Sequence, residues 1–223
     1  MTSQIRANLV TVSDPRSAAA EAYRALRTNL SFSSLDDPIR SLVVTTPAPQ
    51  ENKSLVISNL AVIMAQGGNR TLLVDCDLRR PALHEIFGVD NSRGLTTMML
   101  DESAMSEPPL QETEIENLML LPSGPLPPNP ADLLGSRRMD AIIARLTERM
   151  DIVLLDAPPV IAVTDAAVLS SKVDGVLLSV SAGVTRRDHA ERAKEMLAKV
   201  NVRVVGAVLD NAPADALIGS YYG

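Results

Sequence analysis

Apolar runs without polar alternation recur along the chain, and helical patterns separate them. Consecutive apolar positions indicate a strand that is buried on both faces, and a helix between two such strands indicates a parallel connection. The pattern therefore predicts an α/β fold with a mostly parallel central sheet and helices on both faces. The predicted strands cover residues 42–45, 71–74, 118–121, 151–155, 175–180 and 202–209.

Turn residues mark the ends of the predicted helices. In the first of these helices, residues 17–32, Asp14 and Pro15 supply a cap and a first-turn proline. Gly67 and Gly68 end the helix that follows the first strand. The other predicted helices are short pieces within residues 83–107 that break at Gly88 and Gly94, a helix at 130–149 that breaks near residue 135, a short helix at 165–171 and a longer one at 186–200.

The length of the chain fits one well-buried α/β domain, since 223 residues are too few for two domains and a linker. Residues 1–223 are therefore expected to form a single domain, with an extended lead-in at 1–16 and a flexible tail at 212–223. Within the lead-in, residues 9–12 are predicted to form an edge strand or a segment that docks a partner.

Charge and composition limit the classes of partner. A net charge of -6 and an aromatic content of 2% argue against nucleic acid, which requires clustered Lys and Arg or stacking aromatic rings. The one cysteine, Cys76, excludes an intrachain disulfide and fits a reducing cytoplasm. The sequence has no signal-peptide pattern, and its apolar runs are shorter than the roughly 18 residues of a membrane span. We therefore expect a cytoplasmic protein, unless a partner or a fused segment holds it at the inner face of a membrane.

Three predicted strands end in residues that carry chemistry. Lys53 and Ser54 open the helix after the first strand, Asp75 and Asp77 follow the second, and Asp156 ends a later one. In a parallel sheet these ends meet at one edge, where ligands bind. A lysine there neutralises phosphate charge, a hydroxyl ligates Mg²⁺, and carboxylates hold the metal or accept a proton. Each Asp alone could instead cap the next helix, but their order along one chain favours a nucleotide site.

The candidate phosphate loop, residues 46–54, lacks glycines. A strand, a turn and a Lys-Ser pair at a helix start bring N–H groups onto one anion. Pro47 stands where the full signature has Gly six residues before the Lys, and Asn52 stands where it has Gly immediately before it. Gly allows φ > 0, and Asn is the other residue that best tolerates that conformation. The loop is therefore expected to keep its fold, with the Asn52 side chain near the phosphates.

The same regions resemble the bacterial tyrosine kinases of the BY type, the cytoplasmic partners of polysaccharide co-polymerases. Residues 72–81 are similar to the second Walker motif of that family, residues 152–159 to its Walker B motif, and residues 122–134 to its proline-rich signature. The resemblance covers residues 17–211. It distinguishes the chain from Min and Par relatives, whose signature lysine is replaced here by Ala48.

This resemblance implies an ATP- and Mg²⁺-dependent protein-tyrosine kinase with a P-loop NTPase-like fold. Such a kinase phosphorylates tyrosines of its own C-terminal tail, regulates capsule or exopolysaccharide assembly, forms a homo-oligomer and works with a membrane co-polymerase. The implied sites are catalytic (Asp75, Lys53 and Arg79), nucleotide-binding (Pro49, Gln50, Glu51, Asn52, Lys53, Ser54, Leu55 and Asn211), metal-binding (Ser54, Asp77 and Asp156), phospho-accepting (Tyr221 and Tyr222) and oligomer-forming (Glu21, Arg24 and Arg27).

Departures from the family pattern leave alternatives open. The family has Gly where this chain has Gln50 and Asn52, and Ser or Thr where it has Leu55. A degenerate scaffold that binds nucleotide weakly or not at all, or an ATPase switch without kinase activity, would carry the same motifs. Glu21, Arg24 and Arg27 project from one face of the first helix. This face either docks another subunit or is a charged stripe exposed to solvent.

Overall fold

Within the described residues, seven strands form one sheet. The computed structural model of the protein describes residues 9–33, 37–49 and 51–212. The strands are β1 (Ser41–Thr45), β2 (Thr71–Asp75), β3 (Gln111–Glu112), β4 (Leu118–Leu121), β5 (Ile152–Asp156), β6 (Gly175–Ser181) and β7 (Val204–Asp210).

The strand order across the sheet is β3-β4-β2-β5-β1-β6-β7. All neighbouring strands run parallel except β3 and β4, so the predicted mostly parallel sheet is confirmed. The sequence pattern does not predict β3, because a strand of two residues carries no periodic signal.

Helices connect the strands, and the breaks predicted within them are confirmed. Gly88, with φ 65°, ends one helix, Gly94 caps the next, and Ser136 separates two more. Among helices in the described ranges, none has the length and apolar character required to cross a membrane. The helices are α1 (Val10–Ser13), α2 (Ala18–Phe32), α3 (Lys53–Gln66), α4 (Leu83–Phe87), α5 (Leu95–Leu100), α6 (Ser103–Ser106), α7 (Pro130–Gly135), α8 (Arg137–Arg149), α9 (Asp165–Ser170) and α10 (Arg187–Lys199).

The N-terminal segment differs from the prediction in two respects. Residues 10–13 form α1 and not an edge strand, because the backbone N–H and hydroxyl of Thr11 both donate to Oδ1 of Asn59, at 3.0 and 2.8 Å, and hold the segment against α3. The cap of α2 is Ser17, whose hydroxyl accepts the Ala20 N–H at 3.2 Å, instead of the Asp-Pro pair before it.

Two apolar layers cover the sheet. Every residue of β1, β2 and β5 is buried. Because neighbouring residues of a strand point to opposite faces, Leu72 and Val74 pack in one layer and Leu73 in the other. The parallel register then brings the strand ends together, since Asp75 of β2 pairs with Asp156 of β5.

Candidate active site

Lys53 is a buried cation at the first position of α3, held by carboxylates from two other strand ends. Its Nζ lies 2.9 Å from Oδ1 of Asp156 and 3.0 Å from Oδ2 of Asp77. The Ser54 hydroxyl donates to Oδ2 of Asp156 at 2.6 Å. Burial would lower the pKa of Lys53, but the charges of Asp156 and Asp77 outweigh burial and raise it. The lysine is therefore a fixed positive charge at physiological pH.

Asp75 lies beneath this group and anchors the loop that follows β2. Its Oδ2 accepts the backbone N–H groups of Ala82 and Leu83, both at 3.0 Å, and its Oδ1 accepts that of Asp77 at 3.2 Å. The side chain is fully buried. Burial raises the pKa of Asp75 to about 8, and the charge of Asp156 adds to the rise. Burial likewise raises the pKa of Asp156, and the charge of Lys53 opposes this rise.

Replacing Asp75 by Asn should flatten the dependence of stability on pH. The folded-state pKa of about 8 exceeds the ordinary value of 3.8, so the folded protein binds a proton more tightly than the unfolded chain. This contribution to the free energy of unfolding is complete below pH 3.8. It is lost as pH rises towards 8, by at most about 1.4 kcal/mol per pH unit. Urea unfolding of both proteins between pH 5.5 and 8.5 would measure this slope.

The matched control for this experiment is Asp151→Asn. Asp151 is an exposed carboxylate whose pKa the Arg70 side chain lowers, so it titrates below the tested range. Its replacement should keep the wild-type slope. Equal slopes for wild type and Asp75→Asn would contradict the prediction.

A cavity of about 310 Å³ lies at the carboxyl edge of the sheet, over Lys53. Three cationic side chains line it, those of Lys53, Arg79 and Arg80, against two carboxylates, those of Glu51 and Asp77, and this excess of positive charge suits a polyphosphate. Asp77 and Ser54 also line it, whereas the fully buried Asp75 and Asp156 do not. The opposite wall is formed by the segment after β5, through Pro158, Pro159, Ala162 and Val163.

A larger cavity, of about 580 Å³, lies beside the proline-rich loop. It is lined mainly by proline, leucine and threonine, and its charged lining residues, Asp101 and Asp132, are both acidic. A phosphate group would be repelled there, so the smaller cavity is the candidate active site.

Arg79 forms an ion pair with Asp165, the first residue of α9. Its Nε donates to Oδ2 at 2.9 Å and its Nη2 donates to Oδ1 at 3.0 Å. The sequence pattern gives Asp165 no role in the site, because a carboxylate at a helix start is explained by capping alone and its partner lies 86 residues away.

The phosphate loop differs from the expectation at two positions. Asn52 has φ -82° and ψ 36°, so it does not use the left-handed conformation, and its side chain is exposed outside the cavity lining. Leu55 packs into an apolar layer, not the cavity. Pro49 and Glu51 do line the cavity. Gln50 lies outside the described residues.

The remaining predicted residues are not among the described residues that line the cavity. Asn211 follows β7 with φ 54°, and its Nδ2 donates to the Ala182 carbonyl at 3.4 Å, outside the cavity lining. Tyr221 and Tyr222 lie outside the described residues. Their roles stay predictions.

The charged set on α2 makes contacts within its own subunit. Arg24 pairs with Glu21 at 2.7 Å and donates to the Pro15 carbonyl at 2.6 Å. Arg27 donates to the Ile63 carbonyl at 3.1 Å and so joins α2 to the last turn of α3, where the Gly67 N–H donates to the same carbonyl. Their use in an oligomer stays a prediction.

The oxygen donors of the site fit magnesium bound together with a polyphosphate. Among the described residues, no group of three or more His, Cys, Asp or Glu side chains could hold a metal by itself. Mg²⁺ commonly takes one or two carboxylates and completes its shell with phosphate oxygens and water. The carboxylate of Asp77 and the hydroxyl of Ser54 line the cavity, and the buried carboxylate of Asp156, which accepts from Ser54, lies directly behind them and completes that donor set.

By sequence, the chain matches one family model and several individual proteins. A family model described as an AAA domain matches residues 52–187. Tyrosine-protein kinase YwqD of Bacillus subtilis is 39% identical over 208 residues, which cover 93% of this chain and 87% of that protein. Putative tyrosine-protein kinase CapB of Staphylococcus aureus is 36% identical over 208 residues, with 93% and 91% covered.

Solved structures agree with the sequence matches. The crystal structure of the chimerical protein CapA2B2 superposes with a TM-score of 0.88 at 36% identity, covering 93% of this chain and 91% of that one. The similarity therefore extends over nearly the whole fold.

Proposed function

The chain belongs to the bacterial tyrosine-protein kinases, and on that premise we propose that it transfers the terminal phosphate of ATP to Tyr221 and Tyr222 of its own C-terminal tail. The observation that carries the proposal is Lys53, held at a helix start between Asp77 and Asp156 in a cationic cavity. As in the relatives, the activity is that of a protein-tyrosine kinase.

Phosphate binding would use the start of α3. The N–H groups of its first turn and the positive end of the helix dipole attract an anion. Lys53 lies at the first position of this helix and would neutralise β- and γ-phosphate charge. The phosphates compete with Asp77 and Asp156 for its ammonium group, so nucleotide binding redistributes bonds that already exist.

Ser54, Asp77 and Asp156 would hold Mg²⁺, which when bound offsets negative charge on the phosphates. Asp156 holds Ser54 and Lys53 in place through its two oxygens. Arg79 would add a further positive charge at the cavity surface.

Asp75 is the proposed acceptor of the tyrosine proton. Burial raises the pKa of Asp75 to about 8, so its ionised form is a stronger base than an exposed carboxylate, and the group must lose its own proton before it can accept that of a phenol. Because Asp75 accepts two backbone N–H bonds from the loop after β2, access for a tyrosine requires that this loop moves.

The cellular role we propose is the control of capsule or exopolysaccharide assembly. The kinase would act in the cytoplasm at the inner face of the membrane, with a membrane co-polymerase as its partner. Homo-oligomer formation would use the Glu21–Arg24 pair on α2, because surface charge can dock a second subunit.

Incubation of the purified chain with Mg-ATP, followed by mass spectrometry, tests the kinase assignment. We expect phosphotyrosine at Tyr221 and Tyr222, and loss of at least about 90% of it in the double Phe variant. Tyr23 provides the matched control among the three tyrosines of the chain, because it packs in an apolar layer, so Tyr23→Phe should keep the signal.

Other outcomes identify the alternatives. If calorimetric titration with Mg-ADP shows no binding and no phosphotyrosine forms, the chain is a scaffold. Phosphate release without phosphotyrosine, unchanged in the Tyr221→Phe, Tyr222→Phe variant, would identify an ATPase switch.

A further inference from the structure

The ion pair between Arg79 and Asp165 places a buried carboxylate behind an accessible guanidinium. The Asp165 side chain is 0% exposed, whereas that of Arg79 is 43% exposed and lines the cavity. Both carboxylate oxygens are used, one by Nε and one by Nη2. This two-point contact fixes the plane of the guanidinium as well as its position.

The local structure stabilises the charge of Asp165. Asp165 lies in the first turn of α9, where the positive end of the helix dipole favours a carboxylate. A buried carboxylate is costly without a partner, and Arg79 is the cation that contacts it in the described part of the chain. The pair is therefore a fixed element of the cavity wall.

Arg79 keeps hydrogen-bonding capacity in this arrangement. A guanidinium carries five N–H donors, and the contacts with Asp165 use two of them. The remaining donors belong to a side chain that lines the cavity. They can therefore serve a ligand while the contact with Asp165 is kept.

The position of Arg79 along the chain indicates which part of the ligand it would meet. Its backbone N–H donates to Oδ1 of Asp77 at 3.3 Å, and Oδ2 of the same carboxylate contacts Nζ of Lys53 at 3.0 Å. A phosphate-loop lysine serves the β- and γ-phosphates. The Arg79 backbone is thus separated from the Lys53 ammonium group by one carboxylate, which relates Arg79 to the residue expected at the terminal phosphate.

We propose that Asp165 is a positioning residue that aims Arg79 at the terminal phosphate of a nucleoside triphosphate, so that the site distinguishes triphosphate from diphosphate. This inference rests on the proposed function. The ion pair also connects the loop after β2 with the segment after β5, and a purely structural role of this connection predicts equal effects on both nucleotides.

Calorimetric titration with Mg-ADP and with a non-hydrolysable Mg-ATP analogue separates the two roles. In Asp165→Asn the Arg79 guanidinium should no longer be held towards the terminal phosphate. The loss of this charge-assisted contact between Arg79 and the phosphate should weaken binding of the ATP analogue roughly 10- to 100-fold. Binding of ADP should change less than about threefold, because it lacks the terminal phosphate. Arg79→Lys keeps the charge but not the two-point contact, so it should reproduce the effect, and the double variant should add little to it.

Asp151→Asn is the matched control. Asp151 pairs with Arg70 at the amino ends of β5 and β2, opposite to the cavity, so this variant should leave both affinities unchanged. Equal weakening of both nucleotides in Asp165→Asn, or no weakening of either, would overturn the inference. If the wild-type chain binds neither nucleotide, the proposed function fails and the inference falls with it.

Discussion

Replacing Lys53 by Met is expected to abolish kinase activity and to destabilise the fold. The Nζ of Lys53 is the cation that contacts both Asp77 and Asp156, and Met keeps the length of the side chain without the charge. Loss of the phosphate contacts should lower ATP affinity and turnover together by about 10²- to 10³-fold. Two carboxylates would also lose their buried cation, which costs about 3–5 kcal/mol.

The pH dependence makes this prediction specific. Lys53 opposes the rise in the pKa of Asp156, so without Lys53 this carboxylate holds its proton to higher pH. Lys53→Met should therefore be most unstable above pH 8 and should recover part of its free energy of unfolding near pH 5.5. Urea unfolding at both values measures the recovery.

Lys172 offers a matched control, because its Nζ pairs with Asp140 at 2.6 Å and its side chain is only 12% exposed, away from the cavity. Lys172→Met should keep activity and should show the same dependence of stability on pH as the wild type, whereas Lys53→Met should show a steeper one. A Lys53→Met protein that phosphorylates tyrosine at the wild-type rate would remove the central observation behind the proposed function.

The sheet could be predicted from sequence because burial on both faces leaves its own pattern. Residues of β2 are apolar at consecutive positions since Leu72 and Leu73 face different layers, and neither layer admits water. The segment at Thr11 lacked such a signal. Its helix depends on Asn59, which lies 48 residues away, so local propensity could not decide its conformation.

The part of the site that lies at strand ends could be predicted from the sequence. Lys53, Asp77 and Asp156 meet because parallel strands end at one edge, and the order of the motifs implies that edge. Asp165 could not be found in this way, because its role depends on a contact with Arg79 that neither local pattern contains. The burial of Asp75 could not be predicted from the sequence either. Its hydrogen-bond donors are backbone N–H groups, which leave no signal in the sequence.

Asp156→Asn is expected to lower phosphotyrosine formation by about 10²-fold or more, because it removes a proposed ligand of Mg²⁺ and a charge that holds Lys53. Asp156 is fully buried, and its oxygens accept from Lys53 at 2.9 Å and from Ser54 at 2.6 Å. The amide keeps one acceptor oxygen and the shape of the side chain. Activity should therefore fall far more than stability.

Measurement of activity against Mg²⁺ concentration distinguishes the proposed metal role from a loss of structure. A lost ligand should raise the half-maximal Mg²⁺ concentration by about tenfold, whereas a disordered loop would lower activity at every concentration alike. Asp174→Asn is the control, because Asp174 accepts the N–H groups of Arg40 and Ser41 at the amino end of β1. Its metal requirement should match the wild type. An unchanged requirement in Asp156→Asn would exclude Asp156 as a ligand and leave Ser54 and Asp77 to hold the ion.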